Sequence, residues 1–167
     1  MRTPTIVPLE RALAFDGSNI IADFHAKHRV SLEEARALFE DVKKWVWACA
    51  VAHARGSRVA MVIDDRLLII DTMWHTFVLF TREYHAYCKA IGGPYIHHTP
   101  TTQTEQHEVR RVAMRDPEAF HRKRLAQRQR LYGFLYDHLG EETVRRWFIE
   151  LPRRYSTRPK ARIRVAQ

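Results

Sequence analysis

The middle of this sequence holds a short run of residues whose side chains bind metal ions or move protons. Asp71 and His75 are four residues apart, so on a helix they share one face. Tyr84 and Cys88 have the same spacing on what the pattern predicts to be a second helix. Two helical faces could therefore present an acid, an imidazole, a phenol and a thiol to one place.

A glycine turn follows the second helix and returns the chain towards the first. Gly92-Gly93-Pro94 ends the helix, since glycine and proline both interrupt it. His97 and His98 come next, and Pro100 keeps their segment out of helix. Adjacent residues in an extended chain point to opposite sides, so only one of these two histidines is expected to reach the site.

His75 is the centre of the predicted chemistry. Asp71 can accept a hydrogen bond from one ring nitrogen, which leaves the other free to bind a metal or move a proton. Cys88 as a thiolate would suit zinc or iron, whereas as a thiol it is a small buried hydrophobe. The alternative for His75 is a core histidine tied to an aspartate, and neither HExxH nor paired CxxC motifs accompany it.

The predicted site therefore has two groups of residues. The candidate metal ligands, for one zinc or iron ion, are His75, Cys88, His97 and His98. The residues expected to surround the ion or to bind a small polar ligand are Asp71, Trp74 and Tyr84.

The same residues carry a family resemblance. The pattern D-x-x-W-H, then Y-x-x-x-C, then G and a closing H resembles the signature of the glycine-rich-domain-containing-protein-like family. The matching positions are Asp71, Trp74, His75, Tyr84, Cys88, Gly92 and His97 or His98. The resemblance implies an all-helical domain without naming an activity. Plant members often have a second histidine two residues after the first, where this sequence has Phe77.

Composition limits the class of protein. A chain of 167 residues with 46% hydrophobic residues is long enough for one domain with a substantial core. No apolar run reaches the roughly 18–20 residues of a membrane span, and the N-terminus lacks a secretory pattern. The two cysteines form no CxxC motif. We therefore expect a cytoplasmic protein without a membrane span or a disulfide.

Positive charge is concentrated in the last third of the chain. Residues 1–100 hold 12 basic and 11 acidic residues, whereas residues 101–167 hold 16 basic and 8 acidic ones. The pattern is compatible with a solvated helix and a basic tail, or with an anionic partner, nucleic acid or acidic protein, bound through residues 110–164. The residues proposed for anion contact are Arg122, Lys123, Arg128, Arg153 and Arg154.

Hydrophobic periodicity predicts an all-α fold: a compact single domain of about six or seven helices with a basic C-terminal tail. The predicted organisation is an irregular arm over 1–17, a helical domain over 18–151 and the tail over 152–167. The predicted helices cover 18–28, 32–55, 66–80, 81–90, 102–114, 117–139 and 141–150. Gly140 is expected to end the helix over 117–139, and Pro152 the last one. Helix 32–55, which opens with a capping box, is expected at the centre, and Thr102 with Glu105 forms a second capping-box pattern before the helix that ends near Met114. Residues 59–63 could form a short strand or a loop.

Three functions fit these observations. The first is a binding or accessory domain whose polar pocket holds a metal ion or a small polar ligand. The second is a metal-dependent enzyme that uses His75 as ligand or base. The third is an interaction module that binds an anionic partner through the basic C-terminal third.

Overall fold

The computed structural model describes residues 5–99 and 101–155, and every regular element in that part of the chain is helical. The predicted all-α class is therefore confirmed. The α-helices are α1 (Leu9–Leu13), α2 (Ser18–His28), α3 (Leu32–Ala54), α4 (Leu68–Leu79), α5 (Thr81–Ala90), α6 (Gln103–Arg115), α7 (Pro117–Arg145) and α8 (Leu151–Tyr155). A 3-10 turn, Asp65–Leu67, leads into α4, and a π-helical segment, Arg146–Glu150, joins α7 to α8. If α7, the π-helical segment and α8 are counted as one helix, the described chain is a single compact domain of seven helices.

Helix α3 lies at the centre of the domain, as the sequence predicted. The Ser31 hydroxyl accepts a hydrogen bond from the Glu34 amide at 3.1 Å, which caps the first turn of α3. Beyond Val42 the helix is buried nearly all round, and it packs against α1, α2, α4 and α7. A helix that is apolar on every side can be stable only in such a central position.

The helices that carry the candidate site begin and end close to their predicted limits. The predicted helix 66–80 is the 3-10 turn followed by α4, and α5 starts at Thr81 as expected. Phe80 lies between α4 and α5 with a non-helical ψ of 67°, so the chain turns there. Residues 59–63 form no strand and run as an irregular segment beside the site.

The prediction that the last helix stops at Pro152 is wrong. Pro152 lies in α8, which continues directly from the π-helical segment and runs to Tyr155. The predicted break at Gly140 is real but local, because Gly140 has φ 82° and ψ 167° and the helix resumes directly after it. A positive φ of this size is readily adopted only by glycine.

The two ends of the described chain are tied to the core. The predicted arm contains α1, and the Trp47 indole N–H donates to the Val7 carbonyl at 2.8 Å. The predicted tail begins inside α8, and its remaining residues, 156–167, lie outside the described part of the chain. No helix among the described residues is both long and apolar enough to cross a membrane.

Candidate metal centre

A cleft of about 510 Å³ opens where the start of α4 meets the segment after Gly92 and the irregular segment before the 3-10 turn. Its lining includes Asp71, His75, His97 and His98. The other lining residues are Met61, Val62, Ile63, Asp64, Asp65, Leu68, Trp74, Thr99, Thr101 and Gln106. The cleft is therefore mixed in character, because apolar side chains line it together with hydroxyl, amide and carboxylate groups.

Asp71 and His75 lie one turn apart on α4, as their spacing predicted. The His75 Nδ1 is 2.7 Å from the backbone carbonyl of Asp71 and 3.4 Å from its carboxylate Oδ2. The nearest acceptor is therefore the carbonyl rather than the carboxylate that the sequence suggested. With Nδ1–H donating to this carbonyl, the Nε2 lone pair is left to face a ligand. The His75 side chain is 56% exposed.

His98 is the histidine of the adjacent pair that reaches Asp71. Its Nε2 lies 3.0 Å from Asp71 Oδ1, and its side chain is only 11% exposed. The His75 and His98 rings are also close, with centroids 4.3 Å apart. The Asp71 carboxylate is thus positioned between two imidazoles.

Gly92 allows the chain to turn back from the end of α5 towards Asp71 on α4. It has φ 76°, and a Cβ placed on it would lie 2.4 Å from the Thr5 carbonyl oxygen. Any other residue would therefore be strained by its backbone conformation and would collide with main chain. The prediction of a glycine turn between α5 and the histidine pair is confirmed.

A buried hydrogen-bond chain fixes the segment that carries His98. The Trp74 indole N–H donates to the Tyr84 hydroxyl at 3.1 Å, and that hydroxyl donates to the Ile96 carbonyl at 2.5 Å. The Trp74 ring also packs edge-on against His98, with centroids 4.3 Å apart. Burial raises the pKa of Tyr84, so its hydroxyl stays protonated and able to donate. Trp74 and Tyr84 therefore position His98 rather than contact a ligand through their own polar atoms.

Cys88 and His97 lie outside this cluster. Cys88 is buried behind Tyr84, and burial raises the pKa of its thiol. A protonated, buried thiol is inert and behaves as a small apolar side chain. His97 packs against the Tyr95 ring, with centroids 4.9 Å apart. Both cysteines of the chain are free thiols.

Three side chains together offer a set of ligand atoms for one ion. One atom each from Asp71, His75 and His98 lies within 4.8 Å of the others. Metal–nitrogen and metal–oxygen bonds of about 2.0–2.2 Å place neighbouring ligand atoms roughly 3 Å apart, as His98 Nε2 and Asp71 Oδ1 are. Two histidines and one carboxylate are a donor set found at zinc and non-haem iron sites.

The basic residues proposed for anion contact differ in their surroundings. Arg122 pairs with Glu118 at 3.5 Å, Arg128 with Asp64 at 3.5 Å, and Arg154 with Glu34 at 2.7 Å. Arg153 is exposed on α8. Lys123 and Arg128 both line a second groove, which α6 and α7 help to form.

Sequence reasoning missed several residues that line the cleft. Asp64 is the N-cap of the 3-10 turn, and its carboxylate accepts from the Arg66 amide at 3.0 Å. Thr101 and Gln106 enter because α6 starts at the mouth of the cleft, with Thr102 and Glu105 forming the predicted capping box. The capping box was visible in the sequence, but the position of α6 beside the cleft depends on tertiary packing.

The chain belongs to the UCP032817-like family, whose model matches residues 16–124. The resemblance to the glycine-rich-domain-containing-protein-like family was therefore wrong. That resemblance covered about a fifth of the chain, and its residues include Trp74, Tyr84 and Cys88, which the packing of two adjacent helices explains. The family match instead runs from before α2 into α7 and includes Asp71, His75 and His98. No curated protein and no solved structure matches the chain.

Proposed function

We propose that this protein is a metal-binding domain in which Asp71, His75 and His98 hold one divalent transition-metal ion, zinc or iron. The observation that supports the proposal best is the convergence of three ligand atoms from two separate segments within 4.8 Å of one another. Asp71 and His75 come from one helix face, whereas His98 returns from 27 residues along the chain. Cys88 is not part of the proposed ligand set.

The surroundings of the three side chains also support the proposal. The hydrogen bond from His75 Nδ1 to the Asp71 carbonyl orients the ring, which is what the outer partners of metal-bound histidines do. The Trp74 ring holds His98 from the side. A ligand set whose orientation is fixed in advance binds its ion at a lower cost in entropy.

Metal analysis of protein purified without a histidine tag tests the proposal. After reconstitution with Zn²⁺ or Fe²⁺ and removal of free ion, wild-type protein is expected to retain about one ion per chain, as measured by mass spectrometry. His75→Ala, His98→Ala and Asp71→Asn should each lower this occupancy by at least roughly tenfold, since losing a ligand weakens the site strongly.

His107→Ala is the matched control, because His107 is exposed on α6 and lies outside the cleft lining. It should retain wild-type occupancy. Far-ultraviolet circular dichroism checks that each variant is folded. Wild-type protein without stoichiometric metal, or equal losses in His107→Ala and His75→Ala, would contradict the proposal.

A metal-dependent enzyme is the second candidate, and a specific observation favours it over a purely structural metal site. Structural zinc sites usually have four protein ligands, whereas catalytic sites keep a position open. The described part of the chain offers three ligands, and they face a cleft of about 510 Å³. In such an enzyme His75 would act as a ligand, and the open position would bind water or substrate.

Cobalt substitution separates the two candidates. Azide added to the Co²⁺ protein should change its visible absorption spectrum if a coordination position is open. A spectrum unaffected by saturating azide would exclude the enzymatic candidate and leave the metal-binding domain intact.

The predicted anionic partner for residues 110–164 is a separate proposal. Three of the five residues suggested for it, Arg122, Arg128 and Arg154, already have acidic partners within the chain. Of the other two, Lys123 forms no ion pair within residues 5–99 and 101–155 and is the residue best placed to contact such a partner.

A further inference from the structure

Helix α6 and the first half of α7 form a helical hairpin whose exposed side encloses a groove. The two helices meet at Asp116, whose carboxylate caps α7 by accepting from the Ala119 amide at 2.9 Å. None of the residues of α6 is buried, in contrast to the central α3. A groove of about 570 Å³ lies between this hairpin and the segment that contains Ala60 and Val62.

The floor of the groove is apolar. Val109 and Val112 are three residues apart on α6 and therefore share one face, and Phe120 of α7 lines the same groove. Val112 is 47% exposed, so this face lacks a cover within the described chain. Exposed apolar surface that is continuous and rimmed by polar residues is typical of an interaction site.

The acidic residues of the groove already have internal partners. Glu108 pairs with Arg111 at 2.8 Å, and Asp116 is the cap of α7. Asp64 accepts from the Arg66 amide and pairs with Arg128. Their negative charge is thus largely compensated before any ligand arrives.

The basic residues of the rim are compensated much less. Arg115 and Lys123 line the groove and form no ion pair within the part of the chain that the structure describes. The Arg124 guanidinium lies over the Phe120 ring, 5.7 Å from its centroid, and has no acidic partner there either. The groove therefore combines an apolar floor with an uncompensated positive rim.

We propose that this groove binds an acidic amphipathic helix of another protein. The apolar face of such a helix would lie on Val109, Val112 and Phe120, and its flanking carboxylates would pair with Arg115, Lys123 and Arg124. An amphipathic helix in an apolar groove is a common mode of peptide recognition. The proposal uses different residues from the metal centre and does not depend on a bound ion.

Charge makes the other occupants less favourable. A second copy of the chain would bring two positive rims together, and residues 156–167 contain four basic residues and no acidic one. Nucleic acid would pair with the rim, yet its phosphates would leave the valine floor without an apolar partner. An acidic amphipathic helix would both pack on the apolar floor and pair with the basic rim.

A displayed peptide library tests the proposal with full-length protein as the bait. Each peptide has leucine, isoleucine or phenylalanine along one helical face and random residues at the flanking positions. Selection is expected to enrich glutamate and aspartate at those flanks. Enrichment of neutral or basic flanks, or no enrichment above an empty support, would overturn the proposal.

Paired variants then locate the binding surface. Val112→Glu should weaken binding of the selected peptides by at least roughly tenfold, because it places a charge on the floor and repels the acidic flanks. Leu125→Glu is the matched control, since Leu125 is equally exposed at 46%, carries the same charge change and lies outside the groove. Lys123→Glu tests the rim in the same way, with Arg130→Glu as its control.

Equal losses in Val112→Glu and Leu125→Glu would mean that only overall charge matters, and the proposed groove would be wrong. Sedimentation velocity and a duplex DNA titration test the other occupants. Self-association or DNA binding that is abolished by Val112→Glu and retained by Leu125→Glu would assign the groove to a second copy or to nucleic acid instead.

Discussion

Two aspartates, Asp41 on α3 and Asp71 on α4, illustrate how the surroundings decide what one side chain does. The Asp41 side chain is 1% exposed and accepts from Arg146 Nε at 2.8 Å and Trp147 Nε1 at 2.7 Å. The Asp71 side chain is 26% exposed and lies between two imidazoles in the lining of a cleft. Both are carboxylates on helices, but only the second is accessible to an ion.

The two aspartates differ in the side chains that their carboxylates contact. Asp41 receives an N–H from an arginine and a tryptophan, which cannot also serve as metal ligands, so its oxygens join α3 to the segment after α7. Burial raises the pKa of Asp41, although the charge of Arg146 and the hydrogen bonds from Arg146 and Trp147 act in the opposite direction. Asp71 faces histidines, and a neutral imidazole keeps one ring nitrogen without a proton, which can bind a metal ion. We therefore expect Asp41 to stabilise the fold and Asp71 to bind an ion.

The largest expected effect is the loss of stability in Asp41→Ala. The substitution leaves the Arg146 guanidinium and the Trp147 indole without their acceptor in the core, and breaking a buried ion pair costs about 3–5 kcal/mol. Urea denaturation would measure the change in the free energy of unfolding. Metal occupancy of the folded fraction should not change, and a loss of metal there would end the distinction between the two aspartates.

Trp74→Ala is expected to have a comparable or slightly smaller effect. Trp74 is a buried residue of α4, and large-to-small changes of this kind cost about 3–5 kcal/mol. Unlike Asp41→Ala, this variant should also reduce metal occupancy, because the ring packs against His98. Trp74→Phe keeps an aromatic wall and should retain more metal than Trp74→Ala. Equal occupancy in the two variants would show that the ring does not position His98.

Asp71→Asn tests the second aspartate of the comparison, which we expect to bind an ion. The residue is part-exposed and its nearest partner is a histidine, so the free energy of unfolding of the metal-free protein should change by less than about 1 kcal/mol. Zinc-dependent stabilisation, measured as the shift of the melting temperature with added Zn²⁺, should disappear. A large loss of stability without metal would show that Asp71 has a structural role like that of Asp41.

A smaller loss of stability than in Asp41→Ala is expected at a second buried carboxylate, Glu34. Its two oxygens accept from Arg154 at 2.7 Å and from the Tyr155 hydroxyl at 2.8 Å. Tyr155→Phe removes one hydrogen bond to a charged acceptor at the end of α8 and should cost about 1–2 kcal/mol. Thermal melts of this variant beside Tyr136→Phe, whose ring is exposed, provide the measurement and its control. Equal melting temperatures in the two variants would mean that the hydrogen bond from Tyr155 to Glu34 contributes little to stability.

The groove of α6 and α7 could not be predicted from the sequence. Val109, Val112 and Phe120 have helical spacing, which is equally typical of residues that face a core. Whether such a stripe is covered depends on which elements fold against it. In the structure α6 packs beside α7 at the edge of the domain, so its apolar side chains stay exposed.

The sequence by itself determined the helical class, the capped starts of α3 and α6, the glycine turn after α5 and the shared face of Asp71 and His75. All of these depend on interactions between residues a few positions apart, which a helix or a turn fixes locally. Only the tertiary structure decided that His98 rather than His97 meets Asp71, that Cys88 is buried behind Tyr84, and that Asp41 is paired with Arg146. Those contacts join segments far apart in the chain, and burial, which decides between a structural carboxylate and a ligand, is a property of the packed core.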